Sequence, residues 1–149
     1  MSYIISPPEE TALQAHLQKL RTQLHEDPEL SWQEHRTTRL VRRELEALCL
    51  EPVPLGLPTG TAALLRGALP GPTVGLRADL DALPITERTG AEFSSRVPGV
   101  MHACGHDIHM AALLGAARLL AARREQLAGN VLFLFQPAEE AATGAMQVL

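Results

Sequence analysis

The stretch Val131-Leu132-Phe133-Leu134-Phe135-Gln136-Pro137-Ala138-Glu139-Glu140 decides the fold, because two carboxylates follow shortly after the end of an unbroken apolar run. An apolar run without polar alternation is typical of a strand that is covered on both faces. Open α/β sheets are built from such strands, and their ligand crevice lies at the carboxyl ends of the strands. Glu139-Glu140 therefore marks the edge of the sheet at which a site is expected.

A second β-type run, Thr73 to Leu76, leads straight into Arg77-Ala78-Asp79-Leu80-Asp81. Asp79 and Asp81 are therefore predicted to lie at the carboxyl end of a strand as well. These two side chains can be ordinary turn carboxylates. Alternatively, they can bind a cation, or hold an imidazole ligand in its binding tautomer.

Three segments carry helical signals. Leucines at the spacing of one helix face predict a helix from Glu9 to His25, which Asp27-Pro28 ends. Ser31-Trp32-Gln33-Glu34 fits a capping box, and the helix that it opens is predicted to bury Leu40, Val41, Leu45 and Leu48. The segment from Ala111 to Arg124 is rich in Ala and Leu and predicts a third helix, ended by Gly129-Asn130 acting as a stop and turn.

The remaining segments carry turn and loop signals. A β-type run from Thr61 to Leu65 precedes a turn predicted at Gly67 to Pro72, and Thr86 to Gly99 is predicted to be an irregular polar loop. Further turns are marked by Pro52, Pro54, Pro58 and Gly60. Helices thus alternate with strands, which predicts an α/β fold with the reactive residues where strands end or a helix begins.

Composition narrows the class of protein. A chain of 149 residues is one domain long, and a net charge of -4 without a long basic run argues against nucleic-acid binding. Met1 to Glu10 has no basic segment of the kind a secretory signal carries, and Ala111 to Ala122 is too short to span a bilayer, so no membrane role is predicted. Two cysteines, Cys49 and Cys104, do not make a disulfide framework, and we expect a reducing, cytoplasmic location.

The segment Met101-His102-Ala103-Cys104-Gly105-His106-Asp107-Ile108-His109 combines thiol, imidazole and carboxylate side chains, which are the types that bind zinc-like cations. Cys104 alone would be a small buried hydrophobe, but its neighbours favour metal binding. Gly105 gives the backbone the freedom to direct Cys104 and His106 to one point. His102 and His109 are weaker candidates that can orient a ligand or face solvent.

Histidines outside this segment are assigned no chemistry. His16, His25 and His35 fall in the helical region and are predicted to lie at the surface or at its boundary. Glu139-Glu140 admits two interpretations. The pair can be the solvated first turn of a helix, where carboxylates meet the helix dipole favourably, or one carboxylate can bind a cation while the other takes a proton from a water molecule beside it.

Three motifs resemble a known family in order and spacing: Arg77 to Pro84, Met101 to Asp107 and Phe135 to Glu140. They are similar to the metal-dependent aminoacylase-like amidohydrolases and metallopeptidases, which include hippurate hydrolase and the plant auxin-conjugate hydrolases. The segment Leu24 to Leu30 also resembles the start of those enzymes. The resemblance implies a three-layer α/β fold with a sheet flanked by helices, the N-terminal portion of a phosphorylase/hydrolase-like catalytic domain of di-metal exopeptidases.

The resemblance also implies a role for each site residue. Cys104 would bridge two divalent cations (zinc, manganese, cobalt or nickel), with His106 and Glu140 as further ligands. Glu139 would be the general base and Asp81 a catalytic carboxylate that orients the site. The implied reaction is hydrolysis of the amide bond of an N-acyl amino acid, or of a related small amide or dipeptide, to a carboxylate and an amino acid.

Members of that family are longer than this chain and carry two further histidine ligands and a lid domain that dimerises. We therefore expect residues 1–149 to be a partial catalytic domain, without the lid and the C-terminal part. Three ligands are enough for one cation and doubtful for two. A sheet edge or core face left uncovered would favour self-association into a homo-oligomer.

Two other functions remain open on these residues. A cysteine hydrolase would use Cys104 as its nucleophile with a nearby histidine as base, but the Glu139-Glu140 pair would then have no role. A catalytically inactive module would bind only a metal or a partner. Catalysis by the purified chain, and the effect of metal removal on the reactivity of Cys104, distinguish these alternatives.

Overall fold

The computed structural model describes residues 6–148. The prediction that Met1 to Glu10 is not a secretory signal therefore falls partly on residues outside this range, Met1 to Ile5. The elements in chain order are α1 (Pro7–Glu26), α2 (His35–Ala47), β1 (Glu51–Val53), β2 (Thr61–Arg66), β3 (Leu69–Asp79), α3 (His106–Ala121), a 3-10 helix (Arg124–Gln126), β4 (Ala128–Gln136) and α4 (Gly144–Val148). The predicted α/β class is confirmed: a sheet is flanked by helices.

The sheet has the strand order β1-β2-β4-β3. β4 lies inside the sheet, antiparallel to β2 and parallel to β3. In the parallel pair Ala78 lies opposite Phe135 and Asp79 opposite Gln136, so both strands end at the same edge of the sheet. The segments that follow, with Asp81 on one and Glu139-Glu140 on the other, are therefore neighbours.

One face of the sheet forms the core with helices α1 to α3. Alternate residues of β4, Val131, Phe133 and Phe135, are buried, as the two-residue period of a strand requires. The helices contribute Leu20, Leu24, Leu40, Val41, Leu45, Met110 and Leu114 to the same cluster. Leu132 and Leu134 point to the opposite face and are only half-buried, so β4 is covered more completely on one face than on the other.

The helix predictions hold for α1, and for most of the residues that α2 was expected to bury. The prediction of a capping box at Ser31 to Glu34 is wrong, because α2 begins at His35 and both side chains have tertiary partners instead. α3 begins at His106, five residues before the predicted start, which places His106 and Asp107 in its first turn. Leu48 lies just past the end of α2 and is half-buried.

Two further predictions differ from the structure. Gly129-Asn130 is not a turn that ends α3, because both residues lie in β4 and Gly129 has φ +82° within the strand. A side chain at Gly129 would meet the Pro72 carbonyl oxygen, which explains why glycine stands there. The prolines near residue 52 do not mark only turns, since Glu51–Val53 form the edge strand β1.

Thr86 to Gly99 is the irregular loop that was predicted, with no helix or strand between those residues. No helix within residues 6–148 is both long and apolar enough to cross a membrane.

Candidate metal centre

Asp81 organises the edge of the sheet where β3 and β4 end. Its side chain is fully buried and accepts the backbone N–H groups of Glu139 at 3.0 Å and Glu140 at 2.9 Å. It also accepts the Ser31 hydroxyl at 2.7 Å. A buried carboxylate is tolerated when hydrogen bonds replace its lost hydration. Asp81 therefore sets the backbone position of both glutamates, and its carboxylate faces that backbone.

His106 is the imidazole that faces this edge. It is the first residue of α3, directly after Gly105, whose φ of +80° belongs to the left-handed region that favours glycine. Its Nδ1 donates to the backbone carbonyl oxygen of Asp81 at 2.8 Å, since a carbonyl can only accept. This bond selects the tautomer whose Nε2 is unprotonated, as in metal-binding histidines.

The free Nε2 of His106 faces both glutamates. It lies 3.8 Å from Oε2 of Glu139 and 4.0 Å from Oε1 of Glu140. Oε1 of Glu140 is buried and has no hydrogen-bond partner among the described residues. A divalent cation can bind both of these atoms, the buried carboxylate oxygen that lacks a partner and the unprotonated imidazole nitrogen beside it.

Asp79 joins this group. Asp79, His106 and Glu139 each offer a ligand atom, and these atoms all lie within 4.8 Å of one another. Asp79 also accepts the Arg77 guanidinium at 2.8 Å. The sequence had left open whether Asp79 is a turn carboxylate or a ligand, and its contacts place it at the cluster.

Cys104 is exposed and enters the cluster through Glu140. Hydrogen bonding with Glu140, followed by some loss of hydration and the negative charges nearby, raises the pKa of the Cys104 thiol. Cys104 does not belong to the set formed by Asp79, His106 and Glu139 as the side chains lie. Its role as a ligand stays a prediction.

His102 and His109 do not belong to the set of ligand atoms formed by Asp79, His106 and Glu139. His102 is 3% exposed, and neither ring nitrogen has a hydrogen-bond partner among the described residues. Burial is the main cause that lowers the pKa of His102 to about 4. His109 is exposed, and its ring centre lies 6.0 Å from that of His106.

The prediction that His25 lies at the surface or its boundary is wrong. His25 is 4% exposed, and its Nδ1 lies 2.8 Å from Oδ2 of Asp107. Arg21 donates to the same oxygen at 2.8 Å, so α1 is tied to the first turn of α3. The leucine spacing in the sequence places His25 next to Leu24, on the predicted helix. It does not predict that Asp107, from another helix, contacts His25.

Glu34 is a residue near the centre that the sequence interpretation assigned elsewhere. Its carboxylate is fully buried, with Oε2 accepting the Thr59 hydroxyl and Oε1 the backbone N–H of Ala138. Ser31 and Glu34 do have the spacing of a capping box. In the folded chain both side chains bind tertiary partners instead of capping α2. The spacing in the sequence does not distinguish a capping role from a tertiary one.

Comparison with known proteins places these features in a family. The family model described as Peptidase family M20/M25/M40 matches residues 75–149. N-acetylcysteine deacetylase of Bacillus subtilis is 50% identical over 139 residues, which is 93% of this chain and 37% of that protein. IAA-amino acid hydrolase ILR1-like 6 of Arabidopsis thaliana is 48% identical over 136 residues, which is 91% of this chain and 29% of that protein.

A solved structure agrees with these sequence relatives. The crystal structure of a Bacillus subtilis protein described as a dinuclear metal-binding peptidase of the M20 family matches with a TM-score of 0.90 and 50% identity. The match covers 93% of this chain and 39% of that chain. The chain thus spans about a third of the length of the curated relatives that it matches.

Proposed function

The chain belongs to peptidase family M20/M25/M40, and from this membership we propose that it is the metal-binding part of an amidohydrolase. The substrate is an N-acyl amino acid or a related small amide or dipeptide, and the products are a carboxylate and an amino acid. The relatives named as a deacetylase and an amino acid hydrolase support this substrate class. Residues 1–149 form a partial catalytic domain.

The observation that carries the proposal is the convergence of His106, Glu139 and Glu140, with Nε2 of His106 about equally distant from both carboxylates at 3.8 and 4.0 Å. His106 Nε2, Glu140 Oε1 and the Cys104 thiol are the proposed ligands, and Asp79 is an additional donor beside them. A mixed set of N, O and S donors suits zinc and also accepts manganese, cobalt or nickel. Two cations are proposed for the complete site.

The residues divide the work of amide hydrolysis between them. A divalent cation held there would polarise the substrate carbonyl and lower the pKa of water. Glu139, whose side chain is 40% exposed, is accessible to accept a proton at Oε2 from the attacking water and donate it to the departing amine. Asp81 keeps Glu139 in place through its backbone N–H.

One alternative rests on a specific observation. Because the chain spans about a third of the length of its relatives, the alternative is that residues 1–149 by themselves bind a cation and do not turn over a substrate. It would then act as a metal-binding or interaction module. A cysteine hydrolase is not favoured, since hydrogen bonding with Glu140 raises the pKa of the Cys104 thiol, whereas a cysteine nucleophile is activated by a lowered pKa.

Glu139→Gln tests the proposal. We expect the purified variant to bind as much Mn²⁺ or Zn²⁺ per chain as the unsubstituted protein, because Glu140 and His106 remain. Hydrolysis of N-acetyl amino acids should fall by about 100-fold or more, the usual contribution of a general base. Glu92→Gln, in an exposed part of the loop, is the matched control.

Three outcomes separate the alternatives. Full activity of Glu139→Gln would remove Glu139 from the role of base. Metal binding by the unsubstituted chain without any hydrolysis would favour the metal-binding module. Failure to bind any divalent cation would contradict both.

A further inference from the structure

The segment that precedes α2 wraps around the turn that carries Glu139 and Glu140. Leu30 forms a bridge with Ala82, directly after Asp81. Beyond it, the Ser31 hydroxyl donates to Asp81, and Trp32 Nε1 donates to the Thr143 hydroxyl at 3.0 Å. Glu34 reaches Ala138 in the same turn. Three side chains of four consecutive residues therefore contact the turn or the carboxylate that holds it.

Glu34 makes the most costly of these contacts. Its side chain has no solvent exposure, and burying a carboxylate is strongly unfavourable unless donors surround it. Two donors are present: the Ala138 backbone N–H at 2.9 Å and the Thr59 hydroxyl at 2.7 Å. A neutral side chain could fill the same space without a buried charge, so the carboxylate has to be explained by the two donors that it binds.

Ala138 needs a partner of this kind. Its φ is +52°, in the left-handed region that alanine rarely adopts, and it is fully buried. Such a conformation persists only where the surrounding structure enforces it. Ala138 comes directly before Glu139, so a change in its backbone would redirect both glutamate side chains.

We propose that Glu34 is a positioning residue for the metal centre, because it holds the Ala138 N–H while Asp81 holds those of Glu139 and Glu140. The backbone N–H groups of three successive residues are thereby held by two fully buried carboxylates, which come from two separate segments of the sequence. Glu34 and Asp81, together with the backbone N–H groups of residues 138–140, form what is called the clamp. The effect of the clamp on a metal rests on the proposed function, but the clamp can be tested without a metal.

Variants at Glu34 and Thr59 separate positioning from general stability. Glu34→Gln keeps the length of the side chain and can still accept from Ala138 while its amide donates to Thr59. Glu34→Ala removes both bonds, and Glu34→Asp keeps the charge but loses the reach. Thr59→Val removes only the second bond of the same carboxylate and serves as the matched control.

The rates of amide hydrogen exchange in the metal-free chain measure directly whether the clamp protects the amides of residues 138–140. We expect the amides of residues 138–140 to exchange about tenfold faster or more in Glu34→Ala, since a buried donor loses its acceptor. Glu34→Gln and Thr59→Val should leave these amides within about threefold of the unsubstituted chain. If Glu34→Ala does not fold, Glu34→Asp should show the acceleration and Glu34→Gln should not. Equal rates in all variants, or equal acceleration in Thr59→Val, would overturn the clamp.

Cobalt titration measures whether loss of the clamp weakens metal binding, and the Co²⁺ absorption spectrum reports the ligand set. Glu34→Ala, or Glu34→Asp in its place, should bind Co²⁺ about tenfold more weakly, and Thr59→Val should bind it normally. Unchanged cobalt affinity despite faster exchange would show that the clamp positions no ligand, and would overturn the proposal. An unsubstituted chain that takes up no cobalt would contradict the proposed function instead, and exchange would still decide the clamp.

Discussion

At the scale of single residues, four of the carboxylates at the centre differ in their surroundings. Glu34 and Asp81 are fully buried and bind backbone N–H groups, whereas the side chain of Glu139 is 40% exposed. Glu140 lies between these extremes at 17% exposure, and one of its oxygens is buried without a hydrogen-bond partner among the described residues. Carboxylates that face the backbone shape the site, and those that face the imidazole are available for a cation or a proton.

The prediction that Cys104 is a ligand can be checked by alkylation. With Zn²⁺ bound, we expect iodoacetamide to modify Cys104 slowly, because a coordinated sulfur is shielded, and removal of the metal with a chelator should raise the rate about tenfold or more. Cys49 is also free and exposed, and serves as the internal control with an unchanged rate. Mass spectrometry of the two cysteine peptides measures both rates. Modification of Cys104 at one rate with and without metal would exclude it as a ligand.

At the scale of elements, the loop from Thr86 to Gly99 is tied to α1 close to the ligand segment. Glu87 accepts the backbone N–H of Ser95 and the hydroxyl of Thr89, and its Oε1 lies 3.2 Å from Nε2 of His25. Arg96 pairs with Glu26 near the end of the same helix. A loop without regular structure is therefore held by polar contacts, which a sequence pattern does not reveal.

This anchoring should depend on pH. Hydrogen bonds from Ser95 and Thr89 lower the pKa of Glu87 to about 2 from its ordinary 4.5. A lowered folded-state pKa means that the ionised carboxylate stabilises the fold at pH above 4.5 and that this contribution is lost as pH falls towards 2. Glu87→Gln should therefore show a shallower decrease in unfolding free energy between pH 5 and pH 2.5, measured by urea denaturation.

Glu92→Gln, an exposed residue of the same loop, is the control and should retain the slope of the unsubstituted chain. Parallel pH profiles for Glu87→Gln and the unsubstituted chain would show that the loop is not held by ionised Glu87.

The turn after β4 is another element whose shape is set by close packing. The N–H of Gly144 donates to the Ala138 carbonyl oxygen at 3.1 Å, and a Cβ built on Gly144 would lie 1.7 Å from the Pro137 carbonyl oxygen. Gly144→Ala must therefore displace the turn that carries Glu139. We expect a loss of about 1–3 kcal/mol in unfolding free energy, as for overpacked sites, and weaker metal binding.

Gly75→Ala is the matched control, because a Cβ there meets nothing within 4 Å. It should be neutral or slightly stabilising in denaturation. Equal effects of the two substitutions on stability and on metal affinity would contradict the close packing inferred for the turn.

At the scale of the whole molecule, the core joins three helices to one face of the sheet, while β3 forms an edge with exposed apolar side chains. Leu69 and Val74 on this strand are 50% and 53% exposed. An apolar strand with unpaired backbone groups is a template for pairing with another copy. The chain is therefore expected to self-associate as its concentration rises.

Val74→Lys should reduce that association, because a charge on an edge strand opposes pairing. Sedimentation velocity over a range of concentrations measures the effect. Met146→Lys places the same charge on a different element, α4, at a side chain that is 82% exposed, and should change little. A chain that stays monomeric at all concentrations, or responds equally to both substitutions, would refute this role for the β3 edge.

The sequence by itself determined most of the elements and the edge at which the reactive residues gather. Apolar runs and leucine spacing report burial along one segment, so β4, α1 and the carboxyl-end position of Asp79, Asp81 and Glu139 were predictable. The resemblance of three motifs indicated the family, which the comparisons confirm. Roles for Cys104, His106 and Glu140 remain predictions of that resemblance.

Only the tertiary structure decided which partners the polar side chains find. Ser31 and Glu34 fit the sequence pattern of a capping box, but their actual partners, Asp81 and Ala138, are 50 and 104 residues away in the sequence. His25 likewise meets Asp107 from another helix. Local patterns record what neighbouring residues can offer, whereas a buried hydrogen bond depends on which distant groups the packed core brings within 3 Å.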